Sequence, residues 1–193
     1  QRQMCIRDSN KIGQSMLPFA SLAFDNVELL PEYRLSGNEG GFQQLFRLLE
    51  FGRVFICASS VGMAQAAMED AVAHARERVA FGKHISQFQQ IEQMLTDMEV
   101  SLSSMRLMLY RAVWDIENDT PDKRLSVALM KRFIPKTATE VASNAMQILG
   151  GLGYTEGSRI SSIWEDCRGN QIAQGTDPVS YTHLRAHETK ANL

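Results

Sequence analysis

The pattern of apolar positions divides the chain into an extended start and a long helical remainder. Asn10 to Tyr33 reads as extended structure. Ala20, Leu22, Phe24 and Val27 form a short apolar alternation, broken by the Asp25-Asn26 turn pair. Pro31 ends that stretch, because proline has no N–H to give to a ladder. Ser36 to Gly41 is a glycine-rich connector. From Phe42 the period becomes helical. The first helix carries Leu45, Leu48, Leu49, Val54, Ile56, Val61 and Ala64 on its apolar positions and is expected to reach about Arg78. Gly52 and Gly62 in its interior weigh against a straight rod.

The clearest helix follows. Ile91, Met94, Met98, Leu102, Met105, Leu109, Ala112 and Ile116 recur at steps of three and four. They make one apolar stripe over about seven turns. Such a Met and Leu stripe is core, not a ligand site. A third helical stretch runs from Leu125 to Leu149, with Pro121 near its start. Pro135 is expected to kink it or split it in two. Gly150, Gly151 and Gly153 end it, and on their own these glycines need no role beyond helix termination. Ser158 to Ile172 is a shorter fourth helix. Long helices joined by short loops predict a mainly α fold, an antiparallel four-helix bundle preceded by a few strands.

Composition adds exclusions. The 193 residues fit one large or two small domains. A net charge of −2 without a basic run makes nucleic acid a poor partner. No uninterrupted apolar run spans a bilayer, so no membrane role is expected. Gln1 to Ser9 does not resemble a signal peptide. Cys5, Cys57 and Cys167 are too scattered for a disulfide framework or a zinc site and read as reduced thiols of a cytoplasmic protein. Both ends break the pattern. Met4–Ser9 (MCIRDS) and Val179–Leu193 (VSYTHLRAHETKANL) resemble translated sequencing-adapter read-through, so residues 1–9 and 178–193 are set aside. His183 and His187 have metal-ligand spacing but lie in that tail and are given no role.

Two strings carry a resemblance. One is Arg78-Val-Ala-Phe-Gly-Lys-His-Ile-Ser-Gln-Phe-Gln89. The other is Gln147-Ile-Leu-Gly-Gly-Leu-Gly-Tyr154, followed by Asp166-Cys-Arg168 and Gly175-Thr176. Their order and separation resemble the RxxFGxxIxxFQ and QIxGGxGY signatures of acyl-CoA dehydrogenases. Among these, the chain is similar to the branch containing crotonobetainyl-CoA reductase. The likeness covers Asn10 to about Asp177. It implies that residues 10–39 are the remnant of a middle β domain and 40–177 the carboxy-terminal helical bundle, with an amino-terminal helical domain absent.

The resemblance implies FAD as cofactor. Arg78 would meet the pyrophosphate of a flavin bound by a neighbouring subunit, which suits a planar fork of donors. Phe81, with Gly82, would form the turn that lets the chain approach the cofactor. Gln89 and Thr176 would contact the same molecule, and Gln147, Gly150 and Gly151 would cover its adenosine end. Glu50 and Arg53 lie one turn apart on the first helix and share a face. They read either as a surface ion pair or, by the resemblance, as part of an acyl-CoA channel, with Gly175 also on the substrate side. The implied partners are an acyl-CoA substrate, an electron-transfer flavoprotein and further copies of the chain in a homotetramer, a dimer of dimers.

One departure concerns the base. Dehydrogenation removes an α-proton from the thioester while a hydride leaves the β-carbon, so a carboxylate must take the proton. The family places it before Gly175, here Gln174, or before Arg53, here Gly52. Neither is acidic, and an amide oxygen is too weakly basic. The neighbours of Gly52 on its helical face are Leu48, Leu49, Phe55 and Ile56, so no acid substitutes locally. The Gln174 backbone N–H could still polarise a thioester carbonyl. Three readings follow: an FAD-dependent acyl-CoA dehydrogenase or enoyl-CoA reductase, a binding homologue without catalysis, and an inactive helical fragment.

Overall fold

The computed structural model describes residues 3–35 and 40–176. Most of the connector, the tail with His183 and His187, and the side chain of Cys5 lie outside the described residues. Strand β1 (Gln3–Asp8) pairs antiparallel with β2 (Ala20–Asp25), from Gln3 opposite Asp25 to Asp8 opposite Ala20. β1 falls inside the stretch set aside as foreign. Its ladder is made of backbone groups, which asks little of side-chain identity. Four helices follow: α1 (Gly41–Glu77), α2 (Gln89–Glu117), α3 (Lys123–Leu149) and α4 (Arg159–Asn170). Between α1 and α2 sits a small hairpin of β3 (Val79–Ala80) and β4 (Lys83–His84). The mainly α, four-helix bundle is the one the apolar period predicts.

Side-chain pairs fix the directions. Glu50 faces Arg124, and the thiol of Cys57 faces the Met130 carbonyl, so α1 and α3 run the same way. Ser60 meets Asn170 while Asp70 meets Arg159, so α1 and α4 run opposite ways. Short connections turn α2 back against both α1 and α3. The core lies between these helices. α1 contributes a narrow stripe of small residues, Cys57, Val61, Ala64, Ala67, Ala71 and Ala75, all buried. Small side chains let α3 close on α1 with the bulkier Met130, Ile134 and Val141. The stripe expected on α2 is buried from Met98 through Ala112.

Three expectations change. Leu45 and Leu48 are exposed. Arg124, the second residue of α3, already stands opposite Glu50, so the turns of α1 before Glu50 overhang the start of α3. Pro135 does not split α3, which is continuous from Lys123 to Leu149 around the buried ring. The cost is one helical hydrogen bond, the one residue 135 would donate to the Lys131 carbonyl. The third change concerns length. Arg47–Glu77 of α1 is long and apolar enough, by composition alone, to cross a membrane. Its small-residue stripe packs into the bundle, and 33 % of its most apolar window is buried. β2 keeps its alternation, yet every residue on it is exposed, because no described layer covers either face.

Among the described residues two ionisable side chains of opposite charge are fully buried. Asp115 accepts hydrogen bonds from Arg111 Nε (2.8 Å), Thr120 Oγ1 (2.9 Å) and the Ser126 hydroxyl, tying the end of α2 to the start of α3. The Ser126 bond, aided by Arg111 and Thr120, holds the Asp115 carboxyl below the usual carboxylate range against the opposing effect of desolvation. Lys131 donates from Nζ to the Asn170 carbonyl at 3.1 Å.

Candidate functional site

The flavin-binding candidates gather where α1 ends. Arg78 is the C-terminal cap of α1: its N–H donates to His74 O, and its carbonyl accepts from Ile85 N, both at 2.9 Å. That backbone is fixed while the side chain stays exposed, with no hydrogen bond or ion pair among the described residues. The β3–β4 turn is Phe81-Gly82, with φ of 51° and 80°. A two-residue turn with both positions left-handed matches the twist of a hairpin, but only glycine adopts it without strain. Phe81 therefore occupies a costly conformation, and its ring is 97 % exposed. It meets Phe88 edge-on at 6.3 Å, and the Lys83 ammonium lies 4.2 Å from the Phe88 ring centre. Gln89 opens α2 just beyond and is exposed.

Gln147, Gly150 and Gly151 lie at the end of α3 and are exposed. Because α1 and α3 run the same way, this group stands at the same end of the bundle as Arg78. No hydrogen bond among the described residues joins Gln147 to Arg78, Phe81 or Gln89. Gly150 has a φ of 61°, and a Cβ built on Gly150 or Gly151 would meet nothing within 4 Å. Open space, not internal packing, surrounds both glycines, and Gly150 also needs the conformation that only glycine adopts freely.

The substrate-side candidates meet elsewhere on α1. Gln174 (φ 56°) and Gly175 (φ 103°) form a sharp left-handed turn beyond α4. The turn lays the Gln174 amide directly on Gly52. A Cβ built at Gly52 would stand 3.0 Å from Cδ and Oε1 of Gln174 and 3.2 Å from Nε2. The two alternative base positions thus form one contact with no carboxylate in it. Arg53 Nε donates to the Gln174 carbonyl at 3.2 Å. Burial draws the Arg53 guanidinium below its usual value, while Glu50 and Cys57 act the other way. Glu50 is near enough to act on the Arg53 charge, but its ion pair among the described residues is with Arg124 Nε of α3 at 3.7 Å and not with Arg53. The Gln174 N–H finds no acceptor among the described residues. Thr176, next to Gly175, is exposed.

Other chemistry is absent from these surroundings. Burial pushes the Cys57 thiol up to about 12, against Lys131 and Arg53. Burial, with Asp166, does the same at Cys167, also to about 12. Neither is a nucleophile at neutral pH. Among the described residues no group of His, Cys, Asp and Glu is placed to hold a metal ion. Sequence reasoning passed over Gln14, Lys131 and Asn170, which converge at the end of α4. One signal was available: Lys131 sits four residues after Val127 and three before Ile134, inside the apolar stripe of α3.

Residues 39–187 match the family described as the acyl-CoA dehydrogenase C-terminal domain. The chain belongs to the acyl-CoA dehydrogenase family. The match reaches into the carboxyl stretch that the sequence reading set aside. Among curated relatives of this family, the chain is 39 % identical over 175 residues to the "Probable acyl-CoA dehydrogenase YdiO" of Escherichia coli K12. That alignment takes in 90 % of the chain and 45 % of the relative, so the chain spans about half the length of the curated relatives it matches. The acyl-CoA dehydrogenase of Slackia heliotrinireducens is 53 % identical, with a TM-score of 0.91 over 98 % of this chain and 50 % of that one. The butyryl-CoA dehydrogenase of Megasphaera elsdenii is 29 % identical, with a TM-score of 0.90 over 96 % and 49 %.

Proposed function

We propose that the chain is the carboxy-terminal half of an FAD-dependent oxidoreductase acting on the CH–CH bond of acyl-CoA thioesters, as dehydrogenase or enoyl-CoA reductase. The observation that carries this reading is the Gln174–Gly52–Arg53 contact. Residues 121 and 122 positions apart, singled out as the family's substrate-side residues, come together at one place. The residues present also fit the cofactor. Arg78 offers a guanidinium without a partner among the described residues for a pyrophosphate, Phe81 an exposed ring, and Gly150 and Gly151 open backbone, with Gln89 and Gln147 as exposed amides. When bound, FAD supplies the acceptor for the hydride from the β-carbon. The protein's own part is to hold the thioester. The Gln174 N–H is free to donate to its carbonyl, and Arg53 fixes the turn that presents that N–H. The Gln174 side chain cannot take the α-proton.

Further elements of the proposal rest on the same features. Arg78 and Gln147 face solvent in one chain, which supports a flavin site completed by a second copy within a dimer of dimers. The outward apolar side chains of α2, Leu107, Tyr110 and Trp114, support an assembly as well. Buried, unpaired Cys57 and Cys167 support a cytoplasmic setting, and electron exchange with an electron-transfer flavoprotein follows from the family resemblance. A second reading is favoured by one observation, the absence of a carboxylate at the Gln174–Gly52 contact: a homologue that binds FAD or acyl-CoA without oxidising it. The intact protein decides between them. A flavin absorbance spectrum that bleaches in stopped flow with a short acyl-CoA is expected for the enzyme, and binding without bleaching for the homologue. Gln174→Glu installs a base within reach and is expected to raise flavin reduction by about 10²–10⁴-fold. Fast reduction by the unaltered protein, with no gain in the variant, would place the base elsewhere.

A further inference from the structure

The Gln174 turn is carried by the end of α4, and the last residue of that helix, Asn170, is held from three sides. Gln14 Nε2, in the loop before β2, donates to Asn170 Oδ1 at 2.6 Å. Asn170 Nδ2 donates to Ser60 Oγ at 2.9 Å and to Ser59 Oγ at 3.2 Å on α1. Its backbone carbonyl takes the buried Lys131 ammonium from α3 at 3.1 Å. Asn170 is 3 % exposed; its bonds to Ser60 and Lys131 are buried, and those to Gln14 and Ser59 are part-buried.

This arrangement admits one orientation of the amide. Both serine hydroxyls donate their protons to the Ile56 carbonyl, at 2.8 and 3.0 Å. They therefore offer only lone pairs to residue 170, and the amide must turn its NH₂ to them. Its oxygen is left facing the loop, where a donor is needed, and Gln14 supplies it. Gln14 reaches that place by a strained route. Its φ is 52°, and the preceding Gly13 lies so close to α4 that a Cβ there would stand 2.8 Å from the Glu165 backbone. The Gln14 N–H is spent on the Asp166 carboxylate. A loop bent left-handed onto a helix over a glycine, to satisfy one buried amide, is built for that contact.

Gln174 follows Asn170 after three intervening residues. From the geometry we infer that Asn170, set by Gln14, is a positioning residue for acyl-CoA: it fixes where the end of α4 delivers the Gln174 N–H. The β-strand segment thereby holds the substrate turn in place across the helical bundle. The inference rests on the reading of Gln174 as a substrate-side residue, and it goes further by naming what sets that residue.

The test is a double-mutant cycle in the intact protein, with Gln14→Ala, Asn170→Ala and both together. The readouts are affinity for a short saturated acyl-CoA and FAD retention on dialysis. Gln14→Ala is expected to weaken acyl-CoA binding about tenfold, on the scale of one lost hydrogen bond, and Asn170→Ala by at least as much, since it also loses the bonds to Ser59 and Ser60. The double change is expected to do no more than Asn170→Ala alone, because the Gln14–Asn170 bond is already lost once the residue-170 amide is gone. FAD retention is expected to change much less than acyl-CoA affinity, since every flavin candidate except Thr176 lies at the far end of α1; a general loss of structure would lower both alike. Unaltered acyl-CoA affinity in the variants, or losses that simply add, overturns the inference and leaves the proposed function standing. An unaltered protein that binds FAD but no acyl-CoA overturns the reading of Gln174 and the inference with it. Should Asn170→Ala fail to fold, Gln14→Ala alone decides by the same two affinities.

Discussion

Replacing Gly52 by alanine sets two effects of similar size against each other. Alanine inside an exposed helix is favoured over glycine by about 1 kcal/mol. Against this, the new Cβ would stand 3.0 Å from Cδ and Oε1 of Gln174. Carbon atoms pack best at about 3.5–4.0 Å, so the amide must withdraw by about 0.5–1 Å. Backbone could not give that much, but the obstacle is the end of a long side chain. The Gln174 amide makes no hydrogen bond among the described residues, and only its carbonyl is held, by Arg53. Withdrawal costs a rotamer adjustment of about 0.5–1 kcal/mol. The net is a stability gain between about zero and 0.5 kcal/mol. For a chain of this size that is a rise in Tm of at most about 2 °C. Urea unfolding followed by circular dichroism measures it. Acyl-CoA affinity in the intact protein is expected to fall, because the amide that lay on α1 now lies in the substrate's way. A loss of stability above about 1 kcal/mol would refute the argument, since Gln174 would then be held too rigidly to yield.

Other substitutions separate stability from binding. Arg78→Ala is expected to change Tm by less than about 0.5 kcal/mol equivalent, as an exposed site should. In the intact protein it should weaken FAD binding by about 1.5–3 kcal/mol; unchanged flavin retention on dialysis would show the arginine string misread. Phe81→Asn places a residue that tolerates the left-handed region in the β3–β4 turn. Relief of about 1–2 kcal/mol should offset the lost contact with Phe88, about 0.5–1.5 kcal/mol, so calorimetry should find stability equal or higher. Asp115 has its pKa depressed on folding, chiefly by Ser126. Its contribution is therefore complete above the unfolded carboxylate value, about 3.9, and lost as pH falls through the lower folded value. Asp115→Asn should be less stable at neutral pH and flatter in that acid window; an unchanged acid limb would assign the lability to other carboxylates.

Much of the fold was legible because it is local. The step of three and four from Ile91 to Ile116 is a property of neighbouring residues, and α2 follows it within two residues at each end. The glycines at 150 and 151 and the left-handed Phe81-Gly82 turn are likewise short-range matters, visible in the order of residues. Burial was less legible. Leu45 and Leu48 repeat like core residues, yet they are exposed, because the period of a helix says which face is apolar and not whether another helix reaches it. Pro135 breaks a helical rule that the surrounding core overrides.

The candidate site divides in the same way. The strings around Arg78 and Gln147 pointed to the family by themselves and supplied the candidate flavin residues, since each string is contiguous. The sequence also showed that neither Gln174 nor Gly52 is acidic. It could not show that the amide of one lies on the other, because 121 intervening residues must fold before the two meet. Asn170 is one polar residue among many until Gln14, Ser60 and Lys131 arrive from three other segments. Local periodicity determined the helices. Only the packing of helices decided which polar groups were sealed from water, and a sealed polar group must find its partner wherever the chain brings one.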